Sequence, residues 1–97
     1  VRVVWSPLAV QRVSEAAVFI ALDKPEAARG WAEATFAAVA RLEQHPESGR
    51  VVPELGRQEV REIVHGAFRI IYRIEPERVL ILTVRRAAQL LDPAEAQ

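Results

Sequence analysis

The sequence predicts an α+β fold: an N-terminal strand and an antiparallel helical hairpin packed on a small, mainly antiparallel sheet. Three observations lead there. Apolar residues recur at three- and four-residue steps from Val10 to Leu42, the period of a helix. They alternate from Phe68 to Ile74, the period of a strand. Between the two regimes, residues 45–58 hold Pro46, Gly49, Pro53 and Gly56, which punctuate a loop. At 97 residues the chain, 1–97, is one domain, because single cores stop growing only at about 250–300 residues.

Val1-Arg2-Val3-Val4-Trp5 is β-branched and aromatic and stops at Ser6-Pro7. That reads as a short strand followed by a helix start, with Ser6 as N-cap and Pro7 in the first turn. Val10, Val13, Ala17, Ile20 and Ala21 then form one apolar stripe. The break at Asp23-Lys24-Pro25-Glu26 has capping-box spacing from Asp23 to Glu26. Ala28, Ala32, Thr35, Val39 and Leu42 form a second stripe, widened by Trp31, Phe36 and Ala38, so residues 6–44 read as a helical hairpin. Trp5 and Trp31 are expected to anchor the core.

Past the loop, which has room for a short turn or strand around Val51-Val52, come three strand-like runs. Val60–Val64, Phe68–Ile74 and Val79–Val84 are joined by His65-Gly66-Ala67 and by Glu75-Pro76-Glu77-Arg78, short enough for an antiparallel meander. Phe68, Ile70, Tyr72 and Ile74 share the face that should meet the helices, while Arg69, Ile71 and Arg73 share the open one. The last run is apolar on both faces, as in a strand with helices below and something above. The first strand joins the sheet at its edge or its centre. The tail after Arg86 is short, contains Pro93 and is expected to add little structure.

Composition excludes several classes. The chain is 51% hydrophobic and 27% charged, which is globular and not disordered. It has no cysteine, hence no disulfide scaffold, thiolate metal site or thiol nucleophile. No apolar run approaches the roughly 18–20 residues of a membrane span. No signal peptide is read before the first strand, so a cytoplasmic location is expected. The net charge is zero, which disfavours a globally basic nucleic-acid binder, yet eight of the twelve arginines fall between residues 50 and 91. His45 and His65 sit apart in turns without acidic company, so neither a metal nor a cofactor is expected. No glycine-rich phosphate loop and no Ser-His-Asp spacing is present.

The order of elements carries specific local strings. Val4-Trp5-Ser6-Pro7 opens the chain, and His45-Pro46-Glu47-Ser48-Gly49-Arg50-Val51-Val52-Pro53-Glu54-Leu55 joins its halves. Val60-Arg61-Glu62-Ile63, Phe68-Arg69-Ile70-Ile71-Tyr72-Arg73-Ile74 and Ile81-Leu82-Thr83-Val84 complete the sheet. Together, over residues 3 to 86, these resemble the RelE/ParE toxin superfamily of bacterial type II toxin–antitoxin modules, with the ParE-like, plasmid-stabilisation branch favoured.

The resemblance implies a fold and a choice of activities. RelE-like members are ribosome-dependent mRNA endoribonucleases, which need basic residues on the open sheet face and a Tyr or His near the C-terminus to polarise, neutralise and protonate. Arg69 matches the central sheet arginine and would be the catalytic candidate in that reading. Tyr72 lies on the opposite parity, no Tyr or His follows Val84, and Glu62 stands where phosphate would be repelled. These departures favour the ParE-like reading, a binding inhibitor of DNA gyrase, with Arg69, Arg73, Arg85 and Arg86 as target-binding residues. The ParE-like pattern Val-x-His-x-x-Arg after the last strand is itself altered, since Arg86 replaces the His and Gln89 the Arg. A degenerate module that only binds antitoxin is therefore a third reading. The implied partner is a cognate antitoxin of ribbon-helix-helix type, which would carry any DNA contact, and Ile71, Leu80 and Leu82 are the apolar residues expected to meet it.

Overall fold

The computed structural model describes residues 1–96. In chain order it contains β1 (Arg2–Trp5), α1 (Pro7–Asp23), α2 (Pro25–Ala40), β2 (Arg50–Val51), β3 (Val60–His65), β4 (Phe68–Ile74) and β5 (Arg78–Arg86). Single helical turns follow α2 at Arg41–Glu43 and close the tail at Pro93–Ala96. The strands form one sheet in the order β1-β5-β4-β3-β2. Only β1 runs parallel to its neighbour, pairing Val3 with Val79 along the edge of β5, while the other ladders are antiparallel. The α+β expectation holds, and β1 takes the edge.

Ser6 shows how local chemistry sets the layout. Its hydroxyl accepts the Ala9 N–H at 3.0 Å, capping α1, and donates to the Leu82 carbonyl at 2.9 Å. One side chain thus starts the helix and ties that start to β5. At the far end the expected Asp23–Glu26 capping box does not form. Asp23 is still helical, Lys24 alone separates the two helices, and α2 begins on Pro25 without a side-chain cap.

The hairpin covers one sheet face. Ala9, Val13, Ala16, Val39 and Leu42 pack on Phe68, Ile70, Tyr72, Val79, Ile81 and Val84, with Trp5, Trp31 and Ile20 partly buried against them. The stripe of α1 is rotated from the expected one. Ala9 and Ala16 face the sheet because small side chains let the helix approach closely, and Val10 is exposed. Trp5 packs tilted against Phe36 with ring centroids 5.1 Å apart, and Trp31 against Phe68 at 5.0 Å, so both tryptophans anchor as expected. The Tyr72 hydroxyl donates to the Pro46 carbonyl at 2.7 Å and accepts the Gly49 N–H at 2.9 Å, which pins the loop to the core.

The other face is also covered, by the chain itself. Val52, Val60, Ile71, Leu82, Leu91 and Ala96 form a second buried cluster, with Leu55 and Leu80 at its margin. Two corrections follow. The tail is structural and not an appendage, since Leu91 and Ala96 sit in this cluster. Ile71 and Leu82, read as an antitoxin surface, are buried under that tail and the 52–55 loop, and Leu80 is half-buried beside them.

A register shift marks β5. Ile71 pairs with Thr83 but Tyr72 pairs with Ile81, so Leu82 is the extra residue of a bulge. Without it, alternation along β5 would carry Val84 and Arg85 to the wrong faces. With it, Val84 joins the helix-side core and Arg85 the opposite face, across from Arg69. The hairpin between β3 and β4 turns on Gly66 and Ala67, with Gly66 at φ +58° as such a tight reversal demands.

Candidate functional site

The register of β3, β4 and β5 brings Glu62, Arg69 and Arg85 to one face of the sheet. Arg69 lies at its centre, only 4% exposed. Its Nε donates to Glu62 Oε1 at 2.6 Å, and its fork donates to the two Glu54 oxygens at 2.7 and 2.8 Å. Nη1 also donates to the Gln89 carbonyl at 3.0 Å. Glu62 is fully buried and takes Arg50 Nε at 2.5 Å on its other oxygen. Glu54 in turn accepts the Leu91 N–H at 2.9 Å. The Arg69 fork, with that N–H, holds the Glu54 carboxyl at about 2, and the same pairing raises Arg69 further above its ordinary value.

This cluster is a clasp. Through Arg69 and Glu54 it fastens both the 52–55 loop and the tail to the sheet. Strand parity does place Arg69 on the face away from the helices, but that face is not open, and its guanidinium has little left to give a ligand. Arg69 is therefore corrected from a target contact to a buried structural cation. Glu62 does not oppose an incoming phosphate. It neutralises Arg69 instead.

The remaining expected residues do not gather. Arg73 donates from Nε and Nη2 to Glu75 at 3.0 and 2.8 Å, and Arg78 reaches the other oxygen, so this group closes the β4–β5 turn. Both arginines hold the Glu75 carboxyl below its usual range, Arg78 more than Arg73. Arg85 donates to Glu95 at 2.6 Å, and Glu95 also accepts the Thr83 hydroxyl at 2.7 Å. Arg85 is thus a tail anchor. Arg86 alone is exposed, at the exit of β5, with its guanidinium 4.2 Å from the centroid of the Phe19 ring.

Sequence reasoning gives no role to Glu54 or Glu95, which lie in the loop and tail and carry no period, and places Gln89 only as a departure from the ParE-like pattern, whereas its backbone carbonyl accepts from Arg69. It also missed Phe19, which belongs to the exposed side of α1. The pairing of Glu62 with Arg69 was within reach, since two-residue alternation puts both on one face. Tyr72 lies on the helix side as its parity required, and burial raises its phenol above the ordinary value. His45 lies in a turn, whereas His65 ends β3. Among the described residues no three histidine or acidic side chains converge as a metal site, and no helix is long and apolar enough to cross a membrane.

Over residues 3–91 the sequence matches the family described as the ParE toxin of type II toxin–antitoxin systems, parDE. The chain belongs to that family. The ParE fold is shared with solved structures. A chain of the chromosomal ParDE toxin–antitoxin system from P. aeruginosa is similar at 19% identity and a TM-score of 0.73, over 88% of this chain and 94% of that one. A chain of the toxin–antitoxin complex RelBE2 from Mycobacterium tuberculosis is similar at 21% identity and a TM-score of 0.55, over 88% and 95%. At such identities the likeness is one of fold. Comparison with curated proteins gives no sequence match. As a ParE-family chain it is the toxin of a type II module.

Proposed function

We propose that this toxin acts by binding DNA gyrase and not by cutting RNA, and that a cognate antitoxin neutralises it. One observation carries the choice. The sheet face where the resemblance would put ribonuclease groups holds an arginine clasped by two carboxylates beneath the chain's own tail. Four of the guanidinium's hydrogen bonds are already made, so little is left to stabilise a cleaving phosphate. The one tyrosine, which could have served as a proton donor, lies on the other face with its hydroxyl committed to Pro46 and Gly49. Target contact is then assigned first to Arg86, whose guanidinium faces solvent. Purified protein is expected to inhibit gyrase supercoiling while leaving mRNA on translating ribosomes uncut. Codon-specific cleavage would reverse the reading.

An antitoxin partner is supported by the company the fold keeps, since the similar structures are toxin–antitoxin assemblies. With Ile71 and Leu82 covered, the densest apolar surface left for a partner lies on α1, where Val18 is 62% and Leu22 82% exposed beside Val10 and Phe19. A segment that orders on binding would bury it. Coexpression with the neighbouring gene followed by gel filtration is expected to give one complex, whereas two separate peaks at micromolar concentration would count against it.

A further inference from the structure

The two edges of the sheet are built differently. At one, β2 is two residues long and runs on toward Pro53, which has no N–H to offer a further strand. At the other, β1 reads Arg-Val-Val-Trp, with no proline, no bulge and no strand outside it. Its ladder to β5 fixes which backbone groups are spent. The Ser6 N–H donates to the Ile81 carbonyl at 3.0 Å, so by two-residue alternation Arg2 and Val4 also turn their groups toward β5. Val3 and Trp5 turn theirs outward. Among the described residues those outward N–H and C=O groups have no hydrogen-bond partner.

The layer above this edge is unfinished too. The side chains of Val3 and Trp5 lie on the helix side of the sheet and are only partly buried there. Phe36 of α2 packs against Trp5 and is 50% exposed. Beside it on the exposed side of α2 stand Ala37 and Ala40, small enough for another layer to come close. The edge thus has two levels, unpaired backbone below and an aromatic corner above.

We propose that this edge binds a second copy of the chain, β1 against β1, antiparallel about a two-fold axis through Val4. The register follows from parity. With Val4 on the axis, Val3 stands opposite Trp5 of the second copy, and Trp5 opposite its Val3. Both members of each pair face outward, so each pair can exchange both of its hydrogen bonds, as an antiparallel ladder requires. The axis is normal to the sheet. Both helical layers then lie on the same side, and the Trp5–Phe36 corner of one copy comes against Val3 of the other. Arg2, the one charged residue of β1, falls opposite Ser6 of the second copy, so the two Arg2 side chains sit at opposite ends of the ladder. The two five-stranded sheets become one across the axis. A separate extended peptide fits less well. It matches the backbone but is one layer thick, whereas a second copy brings strand and helix together and covers Phe36. The interface uses neither Arg86 nor the exposed side of α1, so it stands independently of the gyrase reading.

The test is sedimentation of the purified protein from micromolar to sub-millimolar concentration, with amide hydrogen exchange read at both ends of that range. A monomer–dimer equilibrium is expected. The Val3 and Trp5 amides should gain protection as concentration rises, while Val4, already bonded to β5, should change far less. Val3→Pro deletes an outward donor and leaves the ladder to β5 whole. Counted once in each copy, that loss should raise the dimer dissociation constant by at least about tenfold. Phe36→Ser removes the upper level without touching the strand, and it should weaken the dimer with far-ultraviolet circular dichroism unchanged. A monomer at every concentration, a dimer whose Val3 and Trp5 amides stay unprotected, or an undiminished dimer in either folded variant would each overturn the proposal. So would protection of those amides that appears only on adding the antitoxin, which would give the edge to a partner's strand.

Discussion

Arg69 shows what a buried cation does once its neighbours are known. Removing it as Arg69→Ala would leave Glu62, 1% exposed, and Glu54 without their shared partner. Breaking a buried pair on one side typically costs about 3–5 kcal/mol, so a large fall in the urea midpoint is expected. Loss of toxicity in that variant would then report unfolding and not a missing target contact, and a variant of native stability would refute the clasp. Glu54 gives the same cluster a pH signature. Its carboxyl sits at about 2 when folded against an ordinary 4.5, so the folded chain binds this proton less readily than the unfolded one. The stability it supplies is whole above pH 4.5 and drains as pH falls toward 2. Urea midpoints measured across that window should fall in the native protein and fall less steeply in Glu54→Gln. Parallel slopes would remove Glu54 from the account.

Among the elements, those with a period were legible in the sequence and those without were not. The hairpin, the meander and the two faces of β4 follow from spacing alone. The bulge at Leu82 does not, because a β5 that is apolar on both faces reads the same with or without an inserted residue. In α1 the expected stripe keeps Val13 and Ile20, but Ala9 and Ala16 take the places of Val10 and Ala17 against the sheet, since close approach at Ala9 prefers the smaller side chain. The tail was the largest miss. Leu91 and Ala96 are two apolar positions in an acidic, proline-bearing stretch, and only the fold shows the surface they seal. Leu91→Ala is therefore expected to cost about 2–4 kcal/mol, as truncating a buried leucine does, and to raise binding of a hydrophobic dye as the second cluster opens. A change within experimental error would return the tail to the status of an appendage. Of the site, parity gave Arg69 its face but not its neutralisation, because Glu54 arrives from a loop with no register to the strands.

Across the whole molecule, both faces of one thin sheet are largely covered by the chain itself, and the exposed large apolar side chains gather most on α1, with Phe36, Val64 and Leu90 exposed elsewhere. The parallel edge strand has a consequence in time. β1 is synthesised well before its partner β5, since the tie from Ser6 to Leu82 spans 76 positions. Closing so long a loop is slow and is rewarded only after the helices and meander stand. The edge should then join after the rate-limiting step, with its contacts absent from the transition state. Val3→Ala, which trims β1 where it meets Val79, is expected to speed unfolding and leave the refolding rate nearly unchanged in stopped-flow denaturant jumps. Should refolding slow in proportion to the lost stability, β1 would belong to the folding nucleus, and the newborn toxin would have to hold its first strand in wait for its last.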